Sequence, residues 1–235
     1  MSSLTCSSVL KGPDTAQCLS LNNKLLAAGF ENGSIYLSPR DDLPSPIVLS
    51  PSSESCSALA FSSYDSNVLY SSYGGNIVSW DVRKYQTPLN VWKVCEDEVN
   101  CIDFNVSDNL FAIADDLGHV SLVSATSGTV SRIFKDHDNI CSAALFRPSW
   151  QNQLISAGLD CRLVVNDWKG GGHKPRVFEM TSLMDPLRYA TLLVTNSGGS
   201  RTGRKKNKTK KSEASGPVRV SSCNSLYGFV HFTLP

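Results

Sequence analysis

The chain has 235 residues, 41% of them hydrophobic and 18% charged, with a formal net charge of +1, a size and composition that suit one or two folded domains. No apolar run approaches the ~20 residues needed to span a bilayer, so no segment reads as a membrane-spanning helix. The near-neutral total conceals a division: residues 1–200 carry 14 basic against 20 acidic side chains, whereas residues 201–235 carry 8 against 1.

Residues 1–10 have neither a basic lead nor an apolar centre and do not read as a secretory leader. From there the chain runs in four segments of one design. In the first, near 14–42, an apolar stretch around Leu19 leads to Leu26-Ala27-Ala28-Gly29-Phe30, a turn at Glu31-Asn32-Gly33 and a second strand from Ile35. In the second, near 56–84, Phe61 precedes Leu69-Tyr70-Ser71-Ser72-Tyr73, the turn Gly74-Gly75 and the strand Ile77-Val78-Ser79-Trp80-Asp81. The third, near 97–128, sets Phe104 before Phe111-Ala112-Ile113-Ala114, Asp115-Asp116-Leu117-Gly118 and Val120. The fourth, near 136–169, sets Phe146 before Leu154-Ile155-Ser156-Ala157, Gly158-Leu159-Asp160-Cys161 and Leu163.

Gly33, Gly75, Gly118 and Cys161 follow one another at 42, 43 and 43 residues, the period of a four-stranded propeller blade. Glycine suits such a turn because it takes positive φ without a Cβ clash, and Asp, Asn and Ser close it through their own side chains. Cys161 breaks that rule, so it is expected to strain or reshape its turn. Leu19, Phe61 and Phe104 each precede their glycine by 14 residues, and Phe146 precedes Cys161 by 15. An all-β chain of repeats is the expectation.

The strand ending in Trp80-Asp81, with Asp136-His137 ahead of Ile140 in the fourth repeat, resembles the WD40-repeat family, which is named for its Trp-Asp pair. The resemblance covers roughly residues 15–169 and implies a WD40-type β-propeller over 1–170. Members of that family generally close a ring of seven blades, so about four blades imply a truncated arc, with a compact four-bladed ring as the rival architecture. The places of Trp80-Asp81 are held elsewhere by Ser38-Pro39, Val123-Ser124 and Asn166-Asp167. The Asp–His–Ser–Trp network of the family is therefore incomplete in every repeat; the fourth offers His137, Ser156 and Asp160 without a tryptophan. Apolar packing must then carry the blades. An open arc leaves the outer faces of both end blades bare, which makes self-association or poor solubility of the isolated chain the expectation.

The one sharp surface motif is Trp80-Asp81-Val82-Arg83. Alternate side chains of an extended segment share a face, so Asp81 and Arg83 project together while Trp80 and Val82 point into the blade. This pattern resembles the docking motif by which WD40 substrate receptors bind damage-specific DNA-binding protein 1, the adaptor of the cullin-4 ubiquitin ligase. The resemblance implies that Arg83 contacts the adaptor and Asp81 orients it. In a second reading, Asp81 and Arg83 simply close the turn after the strand. The arginine slot holds Asp41, Thr126 and Lys169 in the other repeats.

After Gly170 the period stops, and residues 171–235 read as a non-repeat tail. Phe178 to Val194 places Met180, Leu183, Met184, Leu187, Leu192 and Leu193 at spacings that suggest a short amphipathic helix broken at Pro186, a candidate cover for an open blade face. Seven of the eleven residues from Arg201 to Lys211 are basic, among them Arg204, Lys205, Lys206, Lys208, Lys210 and Lys211. Such a run cannot bury and is expected to be disordered. It reads as a nuclear-import address, a non-specific nucleic-acid contact or a solvated linker. The last ten residues before Pro235 have strand propensity and no charge.

Nothing in the chain reads as catalytic machinery. His119, His137, His173 and His231 stand apart without metal spacing, no nucleophile elbow or phosphate loop is present, and no cofactor or metal is expected. The eight cysteines form no CxxC pair and read as reduced small hydrophobes, as in the cytoplasm or nucleus. The expected function is that of a protein-interaction scaffold; the alternatives are a nucleic-acid-associated nuclear protein that binds through its basic tail and a non-productive truncated isoform.

Overall fold

Short apolar runs joined by tight turns leave a chain little choice but to pair each run with the next, and each repeat does so. In the computed structural model, the structure describes residues 12–39, 46–50, 52–105, 109–147, 152–170 and 174–179, together with the backbone strands 191–196, 219–222 and 229–234. The first repeat is an antiparallel sheet of β1 (Ala16–Leu21), β2 (Leu25–Phe30), β3 (Ile35–Pro39) and β4 (Ile47–Leu49) in that spatial order. The second is β5 (Cys56–Phe61), β6 (Val68–Tyr73), β7 (Asn76–Asp81) and β8 (Asn90–Lys93); the third is β9 (Val99–Asn105), β10 (Leu110–Asp115), β11 (Val120–Ser124) and β12 (Val130–Phe134). The fourth is β13 (Cys141–Phe146), β14 (Gln153–Gly158), β15 (Arg162–Asp167) and β16 (Arg176–Glu179). Each outer strand lies beyond the stretch in which the repeat is legible. The short outer strands β4, β8 and β16 are largely exposed and carry little apolar signal.

The glycine ladder has a cause besides φ. Gly33 and Gly118 take φ of 81° and 79°, and a Cβ on Gly33 would lie 2.3 Å from Ser52 O and 2.5 Å from Glu54 O. On Gly118 it would lie 2.6 Å from both His137 O and Asn139 O. The backbone that leads into the next blade therefore passes directly over each turn. In the second repeat the two requirements separate. The hairpin is two residues tight, Tyr73 pairing with Asn76, so Gly74 takes the positive φ of 51°. Gly75 answers the close approach alone, its Cβ position lying 2.2 Å from Cys95 O. Cys161 holds φ 60°, so the strain expected of it is present.

Inner strands pack side by side, β1 against β5, β5 against β9 and β9 against β13, and an apolar layer fills each joint. Ala27, Ile35, Leu49, Leu69 and Trp80 fill the first. Tyr70, Phe104 and Phe111 fill the second, their ring centroids 4.9 to 5.4 Å apart, spacing that favours tilted aromatic contacts. Ala112, Leu122, Leu154 and Trp168 fill the third. Leu21, not Leu19, is the register partner of Phe61, Phe104 and Phe146: it pairs with Leu26 as Phe61 pairs with Leu69. The first hairpin is two residues shorter than the common offset suggests.

The arc is open, and its two ends differ. β13 packs alongside β17 (Thr191–Asn196) rather than β1, so the chain is not a compact four-bladed ring. β17 belongs to a three-stranded sheet with β18 (Arg219–Ser222) and β19 (Phe229–Leu234), in which β19 runs parallel to β17 and antiparallel to β18. The helix expected over Phe178 to Val194 is thus corrected where it is described: Phe178 lies in β16 and residues 191–194 lie in β17. Apolar residues with β-branched neighbours satisfy a strand as readily as a helix when the run is this short. The rest of that stretch lies outside the described residues, as does the basic run 201–211. The expectation of two bare faces is corrected as well. On the far face of the fourth blade Ile155, Leu163 and Val165 are buried. On the far face of the first, Ala28, Phe30 and Ser38 are buried too, while Leu19 and Leu21 of β1 are 66% and 55% exposed.

Candidate functional site

Trp80 closes β7 from inside the first joint. It is buried, and its Nε1 donates to Ser71 Oγ at 3.0 Å. Val82 packs on the same apolar layer, and its N donates to Asn67 O at 2.9 Å, which turns the chain away from the sheet. Asp81, itself buried, and the exposed Arg83 then meet at the strand end. Arg83 donates from its backbone N at 3.0 Å and from Nε at 2.9 Å to Asp81 Oδ1, and from Nη2 at 2.7 Å to Asp81 Oδ2. These bonds from Arg83 hold the Asp81 carboxyl well below the usual range, at about 2, so both groups are charged at any ordinary pH. Two of the three guanidinium nitrogens are engaged, yet 63% of the Arg83 side chain is exposed. The alternation expected for this motif is present, and the geometry accommodates both turn closure and presentation of Arg83.

Beside the motif lies a groove of about 540 Å³ between the first two blades. Val48 and Leu49 of β4 form one wall, Val78 and Trp80 of β7 with Val91 of β8 form the other, and Tyr85 in the loop after Arg83 stands at its mouth. Val48 and Val91 are 45% and 60% exposed. These residues escape a sequence reading because the outer strands carry no periodic signal.

In the fourth blade His137, Ser156 and Asp160 do come together. His137 Nδ1 lies 3.0 Å from Asp160 Oδ1, and its Nε2 lies 2.9 Å from Ser156 Oγ. Asp160 also accepts the backbone N of Arg162 at 3.1 Å, which closes the turn ahead of β15. Serine, histidine and carboxylate stand here in the order a serine hydrolase uses. Ser156 and His137 are buried, however, and no substrate atom can reach that hydroxyl. The place of the missing tryptophan is taken by Asn166, whose Nδ2 donates to Asp136 Oδ2 at 2.8 Å. The family network is thus divided between two blades, with Ser71–Trp80 in the second and Asp160–His137–Ser156 in the fourth. Among the described residues no cluster of three or more His, Cys, Asp or Glu is placed to hold a metal, and no helix is long and apolar enough to cross a membrane.

A side chain on the inner strand also braces successive blades. Ser20 Oγ accepts the N of Phe61 at 3.0 Å, and in the equivalent place of the third blade Asp103 Oδ2 accepts the N of Phe146 at 2.7 Å. Burial pushes the Asp103 carboxyl up to about 6. A carboxyl raised in the fold binds its proton more tightly there than in the unfolded chain, so stability should increase as pH falls from above 6 toward 4. Asp103→Asn, which keeps an acceptor for Phe146 N, should flatten that slope and raise the neutral-pH melting temperature by a few degrees. Thermal melts between pH 4 and 8 check both.

The fold defines a WD40-type β-propeller protein, four blades in an open arc. By sequence the chain is similar to the WD repeat-containing protein 53 homolog of Dictyostelium discoideum, 31% identical over 101 residues, which make up 41% of this chain and 27% of that protein. The matched part therefore spans little more than a quarter of that relative. By structure it is similar to a chain in the crystal structure of the mitotic checkpoint complex, with a TM-score of 0.58 and 18% identity, covering 65% of this chain and 49% of that one. At that identity the likeness shows the fold alone. No protein-family profile matches the chain.

Proposed function

We propose that this chain is a protein-interaction scaffold, without chemistry of its own, that docks through Trp80-Asp81-Val82-Arg83 as a substrate receptor of the cullin-4 ubiquitin ligase. The observation that carries the reading is the exposed Arg83, held by two bonds to the Asp81 carboxylate at the end of a strand that Trp80 anchors in the core. An arginine oriented in this way meets a partner's carboxylate or carbonyl at little cost in side-chain entropy. The adjoining apolar groove extends the same surface. The chain's place is the cytoplasm or nucleus, where its thiols stay reduced.

Affinity capture from cells, followed by mass spectrometry, tests the docking. The wild-type chain should recover damage-specific DNA-binding protein 1 and cullin-4, and Arg83→Ala should lose them. Because the Arg83 side chain is 63% exposed, its removal should leave the melting temperature close to that of the wild type. Retained capture by a well-folded Arg83→Ala chain overturns the assignment. A nucleic-acid role rests on the segregation of positive charge in 201–235. Its signature would be affinity that falls steeply with salt and disappears when 201–211 is deleted.

A further inference from the structure

Cys18 and Cys56 face each other across the joint between the first and second blades. Their sulfurs are 3.9 Å apart, and Cys18 Sγ donates to Cys56 O at 3.1 Å. Cys56 is fully buried and Cys18 half-buried. The residue opposite Cys18 in β2 is Gly29. A Cβ on Gly29 would come within 2.6 Å of Cys18 Sγ and 2.7 Å of Cys56 Sγ. Its lack of a side chain is what makes room for both sulfurs.

The other joints show that this is not a general consequence of the fold. Between the second and third blades the two slots hold Ala58 and Val99. Between the third and fourth they hold Cys101 and Cys141, but Ala114 stands opposite Cys101. There the thiols turn to backbone carbonyls: Cys101 Sγ to Ala144 O at 3.5 Å, and Cys141 Sγ to Ala143 O at 3.6 Å and Ala157 O at 3.5 Å.

We propose that Cys18 and Cys56 are a modification site, forming a reversible disulfide between the first two blades on exposure to hydrogen peroxide. Cys18, the more accessible, attacks a peroxide oxygen; the O–O bond breaks, Cys18 becomes a sulfenic acid and one water leaves. The Cys56 sulfur then attacks the Cys18 sulfur, the S–O bond breaks, and the departing hydroxyl takes the Cys56 proton as a second water. Two thiols are oxidised by two electrons in all, and one peroxide is reduced to two waters. The sulfurs must close to about 2.05 Å, a movement for which the space at Gly29 leaves room. The hydrogen bond with Cys56 and burial keep the Cys18 thiol protonated, so the site answers sustained rather than brief oxidation. The bond ties down β1, whose Leu19 and Leu21 face outward.

The test is to incubate the full chain with hydrogen peroxide, alkylate, digest without reduction and read the peptides by mass spectrometry. The expected result is a Cys18–Cys56 cross-linked pair, two hydrogens lighter than the separate peptides, with no Cys101–Cys141 pair. The melting temperature should rise on oxidation and return with dithiothreitol. In Cys56→Ser, Cys18 should instead be trapped by dimedone as the sulfenic acid. Recovery of Cys18 and Cys56 as free thiols after prolonged exposure, or of Cys18 joined to another cysteine, overturns the proposal.

Discussion

Replacing Gly118 by alanine should destabilise the fold by more than about 4 kcal/mol, a loss reserved for a few mechanisms, two of which act here at once. At φ 79° an L side chain costs about 1–2 kcal/mol. The new Cβ would also stand 2.6 Å from two backbone oxygens, those of His137 and Asn139, and neither can yield without moving the link to the fourth blade. The urea midpoint reads the loss. Cys161→Gly is the control: it removes a side chain from a comparable φ of 60°, so the strain relieved and the chain entropy lost nearly offset, and the midpoint should move by less than about 1 kcal/mol in either direction.

This pair of outcomes also marks where the sequence is legible. The glycines stand out because backbone passes over the turns of the first three blades, a demand for space that leaves no room for a Cβ at Gly33, Gly75 and Gly118. Gly75 satisfied that demand without the positive φ, which belongs to Gly74; a shortened hairpin leaves no trace in residue type. His137, Ser156 and Asp160 are legible because polar side chains in apolar runs need partners, and the turn supplies the third member. The Trp80–Ser71 bond is hidden by the abundance of serine in the second repeat. Cys18 and Cys56 are hidden more deeply, since nothing along the chain says which residues of neighbouring blades look at one another. The outer strands and the groove between them are illegible for the opposite reason: half-exposed positions accept almost any side chain.

Removing the histidine of the fourth blade is the second large effect. His137→Ala should cost about 2–3 kcal/mol: it empties the place of a fully buried ring and strips Ser156 and the 6% exposed Asp160 carboxylate of one partner each, while the backbone N of Asp138 and that of Arg162 still serve Asp160. Ser156→Ala, which removes a bond and leaves only an imidazole nitrogen unmatched, should cost about 1–2 kcal/mol. Trp80→Phe, which gives up the 3.0 Å bond to Ser71 but keeps most of the buried ring, should cost about the same. Since the two halves of the network lie in different blades, His137→Ala and Trp80→Phe should add within about 0.5 kcal/mol. Denaturant titrations of the two single variants and the double variant measure the sum. A strong coupling would mean that the blades communicate through more than their shared joints.

The inner strands at the two ends give the molecule a direction: β13 has β17 alongside, whereas Leu19 and Leu21 of β1 face outward, 66% and 55% exposed. Neighbouring blades hold one another pairwise, so loss of order is expected to enter at β1, which packs on β5 from one side only, and to travel toward β13. The turn at Asp81–Arg83, through which docking is proposed, belongs to the second blade, one step inward from that entrance. On that proposal, fraying at one end would withdraw the docking surface while most of the molecule is still folded.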